Sequence, residues 1–185
     1  MGTHSNNQTR IAYAEGRVIP PGESRTIVDD GVADAYQPAP PEAYAPNYDG
    51  PLKTKIVEIS SAALLALNAT PQPLVAAPGA GKALILVSAE LWLDYGGTAY
   101  AGIASGEDLA IKYTDANGAT LATIETTGFM DATADAFRYV AAVTTAAITP
   151  IVNAPLVLHL LTGEITTGDS PLRLRVLYRE INLPW

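Results

Sequence analysis

The side chains best able to do chemistry are scarce in this chain. It has no cysteine and two histidines, His4 and His159. A jelly-roll metal site needs several imidazoles and a carboxylate converging from neighbouring strands, and one interior histidine cannot assemble it. His159 sits in an apolar run and reads as a hydrogen-bonded interior or interface residue. A Ser-His-Asp arrangement lacks both a second candidate base and a nucleophile elbow. Gly79-Ala80-Gly81-Lys82 has the look of a phosphate loop. The pattern, however, needs glycine at position 76 and Ser/Thr at position 83, and both are alanine. Asp115-Ala116-Asn117-Gly118 starts like a calcium loop, but the position for its glutamate is Ile124. A hairpin turn is the better reading of these four residues. Glu107-Asp108 reads as a solvated turn, and Asn68-Ala69-Thr70 is a chance-level glycosylation sequon. The expectation is a non-enzymatic binding or structural protein with no catalytic residues, no cofactor and no metal.

Charge and hydropathy narrow the partners. A net charge of -8 and scattered Lys/Arg argue against nucleic acid, which demands clustered cations. No apolar run approaches the roughly 18 residues of a membrane span. The N-terminal MGTHSNNQTR has neither the basic nor the apolar part of a signal peptide. A soluble protein is expected, with no membrane partner.

The elements that must position any site centre on Ala83–Tyr95, ALILVSAELWLDY. Glycines and a proline punctuate both ends, which favours a strand. Period two puts Ile85, Val87, Ala89, Leu91 and Leu93 on a core face. Leu84, Leu86 and Trp92 then fall on the other face, which is too apolar for plain solvent exposure. Further strands are expected at Lys53–Ile59, Leu74–Ala76, Glu107–Thr114, Leu121–Thr126, Ala136–Val143, Ala147–Val152, Leu156–Leu161 and Pro171–Leu183. Ser60-Ser61 caps a short helical turn between the first two. In Glu107–Thr114 the residues Leu109, Ile111 and Tyr113 point inward, and Asp108 and Lys112 outward. Leu156–Leu161 is apolar on both faces. About eight strands, short turns and no long helix give an all-β antiparallel sandwich of jelly-roll type.

Residues 1–51 differ in composition from the domain at 52–185. They hold half of the 14 prolines and four of the nine tyrosines, with few large aliphatics. Such a stretch cannot build its own core. Its PAPPEAYAP favours polyproline-like backbone. An extended N-terminal arm is expected, docking through Ile11, Tyr13, Val18, Ile19, Ile27, Val28, Tyr36, Tyr44 and Tyr48, since tyrosine anchors extended chains well.

Several stretches, in this order, resemble small structural proteins of tailed bacteriophages. They are Leu67–Pro71, Leu74–Ala83 leading into Leu93-Asp94-Tyr95, Asp108–Asp115, Phe129–Asp135 and Leu172–Arg179. The resemblance covers roughly residues 53–182 and omits the arm. It implies a head decoration (cement) protein: a homotrimer on the virion, binding the major capsid protein on the outside of the head after assembly in the host cytoplasm. On that reading the trimer interface candidates are Leu84, Leu86, Trp92, Val157, His159 and Leu161. The rival expectation is the carbohydrate-binding, host-recognition head of a phage tail fibre or spike, with Tyr95, Tyr100, Glu107 and Asp108 in exposed loops.

Overall fold

The computed structural model describes residues 50–104, 106–142 and 149–183 in full, and N-terminal to them the backbone of four short strands. The chain packs as two units, Met1–Glu42 and Ala43–Trp185, dividing ahead of the composition break at Leu52. In the first unit β1 (Gly2–Ser5) pairs antiparallel with β4 (Ser24–Ile27), and β2 (Ala12–Ala14) with β3 (Arg17–Ile19). These ladders differ from a wholly extended arm, because backbone groups that would have faced water satisfy one another instead. The stretch PAPPEAYAP lies outside the described residues.

The second unit is the sandwich. Its strands are β5 (Leu52–Ile59), β6 (Gln72–Val75), β7 (Lys82–Leu93), β8 (Leu109–Tyr113), β9 (Thr120–Ile124), β10 (Ala136–Ala141), β11 (Leu156–Leu160) and β12 (Leu172–Asn182), with one helix, α1 (Ser61–Leu65). They form two four-stranded sheets, β10-β7-β12-β5 and β6-β11-β8-β9, with every pairing antiparallel. The first of the eight strands lies beside the last, the second beside the seventh, the third beside the sixth and the fourth beside the fifth. That is one long hairpin rolled into two layers, the jelly-roll connectivity.

Local chemistry sets the corners. The Ser60 hydroxyl accepts from Ala63 N at 3.3 Å and caps α1. Pro73 cannot donate to a ladder, and β6 is an edge strand. The β8–β9 turn closes with the Asp115 carboxylate accepting from Asn117 N at 2.8 Å. Here Thr114, not glycine, takes the left-handed conformation, at φ 63. Gly118 is required for closeness, since a Cβ there would lie 1.6 Å from the Tyr113 carbonyl oxygen. The Ala147–Val152 candidate gives, among its described residues, only an isolated bridge from Val152 to Ala83.

The long strand β7 departs from simple alternation. Against β12, Leu86 pairs with Tyr178 and Ser88 with Leu177, leaving Val87 as an extra residue. This is a β-bulge, and it reverses which parity faces inward. Leu84 and Leu86 are buried before it, and Ala89, Leu91 and Leu93 after it. Val87, expected in the core, is exposed, and Leu84 and Leu86, expected at a trimer interface, are covered by their own chain. Ile85 lies half-buried on the outer face, against a small cluster of Ala83, Ile181 and Leu183.

Between the layers, Leu91, Leu93, Leu172, Leu174 and Val176 meet Leu109, Ile111, Tyr113, Leu156, Leu158 and Leu160 in one core, joined by Leu64 and Leu67 from the α1 region. The Tyr113 hydroxyl crosses the core and donates to the Leu84 carbonyl. Burial pushes its pKa up to about 12, so the phenol stays neutral.

The bulge makes a clear prediction, because Leu86 and Trp92 share the same parity in sequence. Leu86→Ala should cost about 3 kcal/mol in urea unfolding, while Trp92→Ala should stay within about 1 kcal/mol. Similar costs at the two positions would contradict the reversal.

Candidate interaction face

The bulge splits the outer face of the sheet β10-β7-β12-β5. Around Ala83, Ile181 and Leu183 that face is covered. Beyond Ser88, which is still buried, it opens to solvent. There the register lines up two cross-strand rows: Phe137, Trp92, Arg173 and Glu58 in one, and Tyr139, Glu90, Arg175 and Ile56 in the next. Trp92 is 51% exposed, Phe137 52%, Tyr139 62% and Ile56 60%. Three rings and an isoleucine left to water side by side are unusual, since large apolar side chains exposed together tend to mark contact surfaces.

Both strand chemistry and anchoring on the inner side hold these rings outward. In β10, Arg138 points away from Phe137 and Tyr139. Its guanidinium stacks over Phe129 at 5.3 Å and donates to the Gly128 carbonyl at 2.8 Å. That pins the edge strand to the turn beneath it. On β12, Arg175 donates to Glu90 at 2.5 Å and Arg173 to Glu58 at 3.0 Å. Being exposed, these pairs add little stability. What they do is hold four charged groups flat along the sheet. Trp92, Phe137, Ile56, Glu90, Arg173 and Arg175 line a cleft of about 200 Å3.

Comparison with protein-family models, with curated proteins and with solved structures returns no match.

The residues singled out in the sequence are placed as follows. Of the six interface candidates, Trp92 alone is exposed; Leu161 is half-buried, and Leu84, Leu86, Val157 and His159 are buried within the chain. In the backbone register of the arm, Tyr13 pairs with Val18 and Ile19 with Ala12 in the β2–β3 ladder, and Ile27 pairs with Gly2. Ile11, Val28, Tyr36, Tyr44 and Tyr48 lie outside the described residues. The loop residues proposed for sugar do not form an exposed cluster. Tyr100 is buried, its hydroxyl donating to the Ser170 carbonyl, and burial beside Asp169 raises its pKa. The Tyr95 hydroxyl is bonded to the Gly97 carbonyl, and Glu107 accepts from Ala104 N. Asp108 is partly buried, with one carboxylate oxygen unpartnered. Among the described residues no cluster of three metal-binding side chains occurs. The aromatic trio was missed because Phe137 and Tyr139 sit in a short alanine-flanked strand. Their i, i+2 spacing was the available signal.

His159 carries the most consequential ionisation. Its Nε2 lies 3.1 Å from the Asn68 carbonyl oxygen, so this nitrogen bears the hydrogen and Nδ1 is left as a buried acceptor with no partner. Desolvation lowers its pKa below the usual 6.5; the Asn68 bond opposes this and nearby Lys112 adds to it. The unfolded imidazole therefore takes up a proton that the folded one resists. Stability should fall as pH drops through about 6.5, with the full penalty reached below the folded-state pKa. In thermal melts between pH 7.5 and 5, His159→Gln should lose less stability than the parent chain. Parallel pH profiles for the two would show that this imidazole does not matter to the transition.

Proposed function

We propose that the chain is a non-enzymatic virion structural protein, a trimeric decoration or cement protein that binds the major capsid protein on the outside of a phage head and stabilises it. The observation that carries this reading is the division into two separately packed units. Among the described residues the jelly roll has a core built from its own strands. The N-terminal unit, with the Pro- and Tyr-rich sequence that follows it, is then available for a second attachment. Two attachments on one chain suit a periodic lattice. Once the first holds, the second occurs at high effective concentration, and modest contacts add up to firm retention. The likeness of residues 53–182 to phage structural proteins supports the same reading, as does an acidic surface without clustered cations. A trimer would have to form without Leu84, Leu86, Val157 and His159, which the fold has already buried.

Removing residues 1–42 is the direct test. The remaining jelly roll should melt as one cooperative unit but bind purified heads at least roughly a hundredfold more weakly. Undiminished binding would exclude the two-point attachment. Electron microscopy of intact particles should place the density on the head surface, and density confined to the tail would overturn the assignment.

A further inference from the structure

The bare sheet face has a size and composition that point to an occupant other than the capsid. We propose that Trp92, Phe137 and Tyr139, with the Arg173–Glu58 and Arg175–Glu90 pairs, form a platform that binds a neutral, hexose-based glycan.

Area is the first argument. The exposed parts of the three rings amount to on the order of 300 Å2. A stable protein–protein contact needs about 800 Å2 from each partner. The patch falls well short of that, yet it matches the largest functional apolar patches of single chains. A second copy or a large protein partner would also have to cover the two ion pairs, since apart from Ile56 the neighbouring positions in the two rows are Arg173, Glu58, Glu90 and Arg175.

Composition is the second. A pyranose ring is amphipathic in a definite way, with C–H groups on its faces and hydroxyls around its rim. Trp92 and Phe137 are directly opposed across the β7–β10 ladder, and Tyr139 is one row along. They offer adjoining aromatic surface for such faces. The two ion pairs run beside the rings in the same rows. Each sugar hydroxyl can accept from a guanidinium and donate to a carboxylate, and each ion pair presents both, 3.0 and 2.5 Å apart in the two pairs. The roughly 200 Å3 cleft lined by Trp92, Phe137 and Ile56 is ring-sized rather than helix-sized.

Charge is the third. Within the patch the two arginines and two glutamates cancel, while the chain as a whole carries -8. Sialylated or sulfated sugars would be repelled at long range, and neutral hexoses would not. Finally, Trp92, Glu90 and both arginines stand on the central strands β7 and β12, and Arg138 ties the edge strand that carries Phe137 and Tyr139 to the Gly128 carbonyl, so the geometry is fixed before any ligand arrives. This proposal is independent of where the protein sits on a particle, because the free chain should bind.

The test uses the full chain on a printed array of neutral and sialylated glycans, followed by titration against the best neutral oligosaccharide. Saturable binding to neutral hexose glycans, little changed between low and physiological salt, is expected. Trp92→Ala and Phe137→Ala should each weaken it roughly tenfold or more, with circular dichroism and melting temperature retained. Leu121→Ala, a core change away from the face, should lower the melting temperature and leave the affinity of the folded protein unchanged. Absence of retention on any neutral glycan would overturn the proposal, as would preference for sialylated ones. So would a drop in sedimentation mass caused by Trp92→Ala, which would assign the face to a second copy.

Discussion

One inserted residue governs the molecule. β7 is long enough to serve both ends of the core, and a strand that alternated without interruption would have to choose between them. With Leu84 and Leu86 inside, strict alternation would bring Glu90 and Trp92 inward and expel Leu91 and Leu93. The bulge at Val87 removes the conflict at the cost of one unpaired position and a local increase in twist. Everything on the outer face follows from this. On one side of the bulge Ala83 and Ile85 join Ile181 and Leu183 in a covered cluster; on the other, Glu90 and Trp92 look outward in register with Arg175 and Arg173.

This also explains what the sequence could and could not tell. Strand positions were legible because prolines, glycines and the Asp-Ala-Asn-Gly turn bracket runs of β-branched and aliphatic residues. The jelly-roll class followed from their number and short connections. The facing of residues 83–87 was not legible. A bulge is specified by how two strands register, and nothing local to VSAE marks it. The same holds for Lys112, which alternation places outward and which is nonetheless buried, its ammonium satisfied by the Ala116 carbonyl of the adjoining turn. Outward does not mean wet where a neighbouring turn folds over the sheet.

The candidate face was half legible. Trp92 stood out as a large ring on a face expected to lie away from the core. Phe137, Tyr139 and Ile56 become meaningful only once β10 and β5 are known to flank the same two central strands, an adjacency spanning much of the chain. The N-terminal unit shows the opposite bias. Its composition suggested an extended arm, whereas β1 and β2 find their partners within the same stretch.

The pairing of the first sandwich strand with the last has a bearing on synthesis. β5 rests only on β12, and Leu52 lies opposite Arg179. That edge of the sheet therefore cannot form until residues 172–182, more than a hundred positions beyond β5, have been made. Contacts this distant are slow to find; until then β5 is unpaired and β7 can pair only with β10. The lysines at 53 and 55 sit on that waiting edge, where charge discourages a premature match with a neighbouring nascent chain.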